Sequence, residues 1–220
     1  MSLIRSASRS ESLTGSLDFV FKEYDDAPAD PIPVLRDWLA YAHEHDVREP
    51  KAMALATANA AGQASTRIVV LNRVTDDGFV FETHSTSRKG RDIAETGWVS
   101  AVLYWRETGQ QITVSGPARQ LSDTESDALW RARPPAAHPM TTLSRQSEPL
   151  GDAAAMLAEA EAEAERLHGE PGPLPRPERY RGYQVTAARI EFWYARHDRL
   201  HQRLSYERTE NGWSATRLQP

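Results

Sequence analysis

From Ala52 onward the chain breaks into short runs rich in β-branched and aromatic residues, most of them closed by a glycine-bearing turn. Runs 53–57, 64–72 and 79–83 are parted by Asn59-Ala-Ala-Gly62 and Thr75-Asp-Asp-Gly78. Runs 99–106 and 110–121 meet at Glu107-Thr-Gly109, and runs 183–192, 199–206 and 213–218 follow, the last two joined around Glu210-Asn-Gly212. Asn, Asp and Gly adopt turn conformations at little steric cost, so such punctuation folds consecutive strands back on one another. About six to eight strands of this kind leave open edges unless the sheet closes, which predicts a mainly β (α+β), closed or nearly closed antiparallel barrel.

Helices are inserted between the strands. Asp30 caps a helix from Pro31, with Leu35, Trp38, Leu39 and Ala42 on one face. A short helix spans about 87–95, and Ser122-Asp-Thr-Glu125 is a capping box opening another through Arg131. The Pro-rich stretch 133–139 breaks the chain; 152–168 reads as an exposed helix stopped at Gly169, and 171–177 as a stiff connector. Residues 1–29, Ser-rich and then acidic, read as a flexible arm, leaving 30–220 as a single domain. With no cysteine, disulfides and thiolate chemistry are excluded, and a net charge of -5 gives no reason to expect nucleic acid. No run is apolar enough for a membrane span, which points to a soluble, cytoplasmic protein.

The segment Glu191-Phe-Trp-Tyr-Ala-Arg-His-Asp-Arg-Leu-His-Gln-Arg203 is the most suggestive chemically. If 199–206 is a strand, Arg199, His201 and Arg203 leave one face, beside Trp193. Either an anionic or electron-rich ligand balances these cations, or they form a solvated basic face. Ser85-Thr-Ser-Arg-Lys89 runs into a helix: it is either a phosphate site, with Ser87, Arg88 and Lys89 at a helix N-terminus, or an ordinary cap. Arg67 opens the strand that continues Ile68-Val69-Val70, and a buried glutamine at Gln110-Gln111 can offer donor and acceptor to a heterocycle. The histidine spacings, 43/45 and 197/201, do not suit a metal on these elements. No GxGxxG, Walker or GxSxG motif is present.

In order, R-I-V-V-L, F-E-T-H-S-T-S-R-K, Y-W-R-E-T-G-Q-Q, S-R-Q-S and I-E-F-W…R-L-H-Q-R…R-L-Q-P resemble the pyridoxamine 5′-phosphate oxidase family from about Pro31 to Pro220. The resemblance implies a split β-barrel homodimer with FMN in the dimer interface. Arg67, Arg88 and Lys89 match the positions that hold the FMN phosphate. Ile68, Val69, Val70, Glu82 and Thr83 match those along the ribityl chain and ring. Gln111, Gln146, Ser147, Trp193 and Arg203 match further flavin contacts, and Arg199 and His201 the catalytic pair over the substrate.

Four positions that grip a substrate phosphate in vitamin B6 oxidases read Asn72, Leu129, Arg133 and Ala137 here, so a charge and two hydroxyls are missing. Each charge-assisted phosphate contact contributes about 1.5–3 kcal/mol, so phosphate esters should bind far more weakly. Glu11-Ser-Leu-Thr-Gly15, Tyr104-Trp-Arg-Glu-Thr108 and His138-Pro-Met140 resemble the phenazine-biosynthesis branch of the family. That branch implies oxidation of partly reduced tricyclic carboxylates, with dioxygen as acceptor and hydrogen peroxide as by-product. In that reading Arg199 pairs with a carboxylate or steadies negative charge, and His201 takes up or relays the N–H proton. Pyridoxine or pyridoxamine phosphate oxidation is the alternative activity, and a flavin- or haem-binding split barrel that stores or senses its ligand without turnover the alternative class.

Overall fold

The computed structural model describes residues 19–168 and 174–220. Helix α1 (Pro31–Glu44) precedes strands β1 (Ala52–Ala58), β2 (Ala64–Val74) and β3 (Gly78–His84). Helix α2 (Arg88–Thr96) leads to β4 (Trp98–Trp105) and β5 (Gln110–Gln120). Helices α3 (Asp123–Ala132), α4 (His138–Leu143) and α5 (Ala153–His168) follow, then β6 (Tyr180–Thr186), β7 (Arg189–Tyr194), β8 (Gln202–Thr209) and β9 (Gly212–Leu218).

Every pairing is antiparallel. The order β4–β1–β2–β3–β6–β5 closes on itself through β5–β4, giving a six-stranded barrel. The barrel splits along β5: Gln110–Ser115 pair with β7, whereas Ala118–Gln120 pair with β6. Strands β7, β8 and β9 therefore carry the sheet past the barrel. Alternation along each strand sends Leu55, Leu103, Ile112, Phe192 and Leu204 into the core. Their neighbours at Ile68, Val70, Tyr104, Gln111, Trp193 and Arg203 face outward.

Asp30 caps α1 by accepting from the Ile32 N–H at 3.0 Å. The helix buries Ile32, Leu35, Trp38 and Ala42 against the sheet. Its anchor is Trp38, packed edge-on against Phe19, Phe21 and Phe192 at 5.2, 4.8 and 5.1 Å.

Three features differ from the sequence reading. Of the expected arm, 1–18 lies outside the described residues, as does the Glu11–Gly15 motif. From Phe19 the chain is packed, because Phe19 and Phe21 supply apolar area that α1 alone does not cover. Run 183–192 is two strands: at Ala187 and Ala188 the N–H groups turn away to Asp77 and Ser115 carbonyls, breaking the ladder. The total is thus nine strands among the described residues. Finally, β8 begins at Gln202, so Arg199 and His201 precede it and do not share a strand face with Arg203. Gly169 and residues 171–173 of the connector also lie outside the described residues.

Gly90 fixes how α2 meets the barrel. A Cβ there would lie 2.3 Å from the Ser85 carbonyl oxygen, so only glycine lets the helix N-terminus sit this close to the turn after β3. Among the described residues no helix is long and apolar enough to cross a membrane, and no three His, Asp or Glu side chains gather as a metal site would require.

Candidate functional site

A cleft of about 590 Å³ opens where β2, β3, the N-terminus of α2 and the 133–147 segment converge. That volume is in the range of small-molecule and cofactor sites. It is lined by Arg67, Ile68, Val69, Val70, Glu82, Thr83, Arg88, Lys89, Arg133, Gln146 and Ser147, residues the sequence had picked out from four separate stretches. Ser65, Thr66, Thr141 and Tyr180 also line it and were not picked out. Ser65 and Thr66 had a signal, standing directly before Arg67; Thr141 and Tyr180 had none.

The cations are held by built contacts. Arg67 donates to the Leu55 carbonyl at 3.1 Å, to Thr57 Oγ1 at 2.8 Å and to Ser65 Oγ. Thr57 and Ser65 in turn donate to buried Asp92 at 2.6 and 3.2 Å, so a carboxylate on α2 steadies the strand arginine through two hydroxyls. Lys89 Nζ donates to Thr83 Oγ1 at 3.0 Å and Gln146 Oε1 at 3.2 Å. Burial, with Arg67 beside it, pulls the Lys89 ammonium down to about 8. No carboxylate pairs with Lys89 within 4.0 Å among the described residues. A half-buried cation kept without a counter-ion, next to two arginines, has the charge and the free donors to pair with an anion.

Segment 144–147 arches over this helix start. Ser147, at φ +73°, accepts from the Arg88 N–H at 3.1 Å, and Gln146 Oε1 accepts from Thr83 at 3.0 Å. Left-handed backbone at a non-glycine residue costs energy and recurs at functional sites. Ser87 does not line the cleft: it is fully buried, accepts from Gly90 N–H at 3.3 Å as the α2 cap, and donates to the His84 carbonyl at 2.7 Å. Ser87 is thus an ordinary helix cap, while Arg88 and Lys89 face the cleft.

The substrate positions divide. Arg133 lines the cleft, with its guanidinium 5.7 Å from the Tyr180 ring and its buried Nε free of partners. Leu129 does not; it is buried against Val80 and Leu121. Asn72 is the extra residue of a bulge, since Leu71 pairs with Phe81 and Arg73 with Val80. Its amide donates to Glu82 Oε1 at 2.7 Å.

The second group of residues lies outside the cleft in this chain. Gln111, Trp193 and Arg203 form one cross-strand row on the outer face of β5, β7 and β8. Arg203 pairs at 2.7 Å with Glu191, which Arg189 also reaches at 3.2 Å. The fully buried glutamine is Gln110, with both amide atoms unpartnered, whereas Gln111 is half-buried on the outer face. On the same outer face of the barrel Ile68 and Val70 are 67% and 62% exposed.

Arg199 sits in a turn at φ +64°, stabilised where Asp198 accepts from the Leu200 N–H at 3.0 Å. His201 stacks obliquely near Trp193, 4.9 Å between ring centres. Its Nδ1 accepts the Arg196 N–H at 3.1 Å, so the neutral ring carries its proton on Nε2. Burial and then Arg199 lower its pKa. The neutral ring therefore presents an Nε2–H donor.

Comparison with known proteins bears on this geometry. A family model described as pyridoxamine 5′-phosphate oxidase matches residues 40–167. A second, described as the pyridoxine 5′-phosphate oxidase C-terminal dimerisation region, matches 180–220. The dihydrophenazinedicarboxylate synthase of Burkholderia lata is 52% identical over 213 residues, 97% of this chain and 99% of that protein. The pyridoxine/pyridoxamine 5′-phosphate oxidase of Thermosynechococcus vestitus is 41% identical over 195 residues, 89% of this chain and 91% of that protein. The crystal structure of PhzG from Burkholderia lata 383 in complex with tetrahydrophenazine-1-carboxylic acid is similar at TM-score 0.88 and 51% identity, covering 94% of this chain and 100% of that one.

Proposed function

The chain belongs to the pyridoxamine 5′-phosphate oxidase family, and on that premise we propose that it is an FMN-dependent oxidase of phenazine biosynthesis, working as a cytoplasmic homodimer. Arg67, Arg88 and Lys89 suit the cofactor phosphate, because they are clustered cations and no carboxylate among the described residues pairs with Lys89. Ile68, Val69, Val70, Glu82, Thr83, Gln146 and Ser147 would line its ribityl chain and ring. Gln111, Trp193 and Arg203 would come from a second copy. That pairing is supported by the exposed Ile68 and Val70, an apolar surface of the kind a partner covers. When bound, FMN supplies a two-electron oxidation in which a C–H and an N–H of the reduced tricycle give a double bond and dioxygen becomes hydrogen peroxide.

The chain's own residues position the substrate. Arg133 pairs with its carboxylate, Arg199 steadies negative charge, and His201 donates from Nε2 to hold the ring orientation, while the N–H proton leaves to solvent. One observation carries the choice of a carboxylated rather than phosphorylated substrate. Of the four positions matching the vitamin B6 phosphate grip, only Arg133 offers free side-chain donors to the cleft. Asn72 is tied to Glu82, Leu129 is packed away and Ala137 has no donor side chain. Pyridoxine phosphate oxidation, favoured by the 41% identity to such an enzyme, lacks that grip.

Anaerobic addition of tetrahydrophenazine-1-carboxylic acid to the FMN-loaded protein is expected to bleach the flavin, and air to restore it. Pyridoxine 5′-phosphate is expected to leave the flavin oxidised; the reverse pattern would overturn the assignment. A second expectation concerns pH. Lys89 loses its charge as pH rises through about 8, so FMN affinity should fall above that pH and stay level below it. In Lys89→Met the decline should vanish, read from FMN dissociation constants across the alkaline range.

A further inference from the structure

The proposed FMN contacts give Glu82 a place along the cleft but no use for the charge of its carboxylate. Among the described residues lining it, Glu82 is the only carboxylate, set among Arg67, Arg88, Lys89 and Arg133. It forms no ion pair within 4.0 Å with any of them. Its side-chain hydrogen-bond partner is neutral: Asn72 donates to Oε1 at 2.7 Å. The β2 bulge exists at that residue, where the pairing with β3 slips by one, so the backbone itself aims the amide at the carboxyl. Burial raises the Glu82 carboxyl's pKa, and Arg133 and the Asn72 amide oppose the shift by favouring the charged form. Arg133, across the same cleft, keeps a buried Nε with no partner and donates through Nη2 to Thr141 at 3.3 Å. An acid and a cation that share a cleft without pairing are complementary to a ligand carrying both an oxyanion and a hydrogen-bond donor.

We propose that Glu82 is the specificity-determining residue at the substrate end of this cleft, turning away phosphate esters and accepting an N–H of the substrate while Arg133 takes the substrate's carboxylate. The inference rests on the flavin-oxidase reading above and deepens it. Loss of the phosphate grip predicts weak affinity for phosphate esters; Glu82 adds active repulsion. A monocarboxylated tricycle with a ring N–H satisfies both side chains. A phosphate dianion satisfies Arg133 only by placing two further negative charges beside an acid.

The test uses FMN-loaded wild type, Glu82→Gln and Glu82→Leu, with flavin content read by visible absorbance, the flavin then photoreduced so that the tricycle binds without turnover, and ligand binding followed by anaerobic calorimetry. The probes are pyridoxal 5′-phosphate and tetrahydrophenazine-1-carboxylic acid. Glu82→Gln keeps an acceptor for Asn72 and removes the charge, so pyridoxal 5′-phosphate should bind about tenfold tighter. Glu82→Leu removes the acceptor, and the tricycle should bind about tenfold more weakly. Unchanged affinity of Glu82→Gln for pyridoxal 5′-phosphate, at normal flavin content, overturns this inference alone. A wild-type protein that takes up no FMN overturns it together with the reading beneath it.

Discussion

Replacing Arg88 with Ala and Lys89 with Met together is expected to weaken FMN binding by about 3–6 kcal/mol, roughly a hundredfold to ten-thousandfold, since each charge-assisted phosphate contact contributes about half of that. The apoprotein should fold no less stably. Lys89 is half-buried with its ammonium pulled down to about 8, so without a bound phosphate its charge is a liability that methionine removes at similar volume. Arg88 is exposed and makes no ion pair within 4.0 Å among the described residues. FMN dissociation constants and the apoprotein's thermal unfolding check the two halves of this expectation. A structural pair would show the opposite pattern, with lost stability and little change in FMN affinity.

The second large effect is expected from residues that touch no part of the cleft in their own chain. Trp193→Ala with Arg203→Ala should cost about 2–4 kcal/mol of FMN affinity, roughly thirtyfold to a thousandfold, from one aromatic contact and one charged donor. Both lie on the outer row with Gln111, beyond the barrel's split at β5. In a monomer their loss would leave the cleft intact; in a two-fold dimer it strips a wall from the partner's flavin. Glu191 keeps Arg189 at 3.2 Å after Arg203 is removed, which limits the purely structural cost. Equilibrium titration of FMN into the purified variant measures the effect.

The barrel was legible because its turns are spelled in residues that tolerate turn conformations: Gly62, Gly78, Gly109 and Gly212 all adopt positive φ. Where the chain changes direction without such residues, the sequence is silent. Thr186-Ala-Ala-Arg189 parts β6 from β7 through hydrogen bonds to Asp77 and Ser115, distant partners that no local pattern announces. Arg199 turns at positive φ because Asp198 caps the Leu200 N–H, so a strand was expected where a turn stands. Within the site, Arg67, Arg88 and Lys89 carried a local signal, an arginine opening a strand and cations at a helix start. Gln146 and Ser147 did not; they reach α2 from about sixty residues away, and only the resemblance to a family singled them out. Leu129, matched by position to a substrate contact, packs against Val80 and Leu121, a burial that no local pattern announces.

The central claim, that each flavin site is assembled from two chains, is tested most directly by mixing the two variants. Neither Arg88→Ala/Lys89→Met nor Trp193→Ala/Arg203→Ala should hold FMN alone. Unfolded and refolded together in equal amounts, they should recover about a quarter of wild-type FMN: half the dimers are mixed, and each mixed dimer has one site free of substitutions. Recovery at that level, in a species of dimer size, is the predicted result. No recovery from a mixture that does form mixed dimers would mean that both groups of residues serve a site within one chain, and would contradict the account.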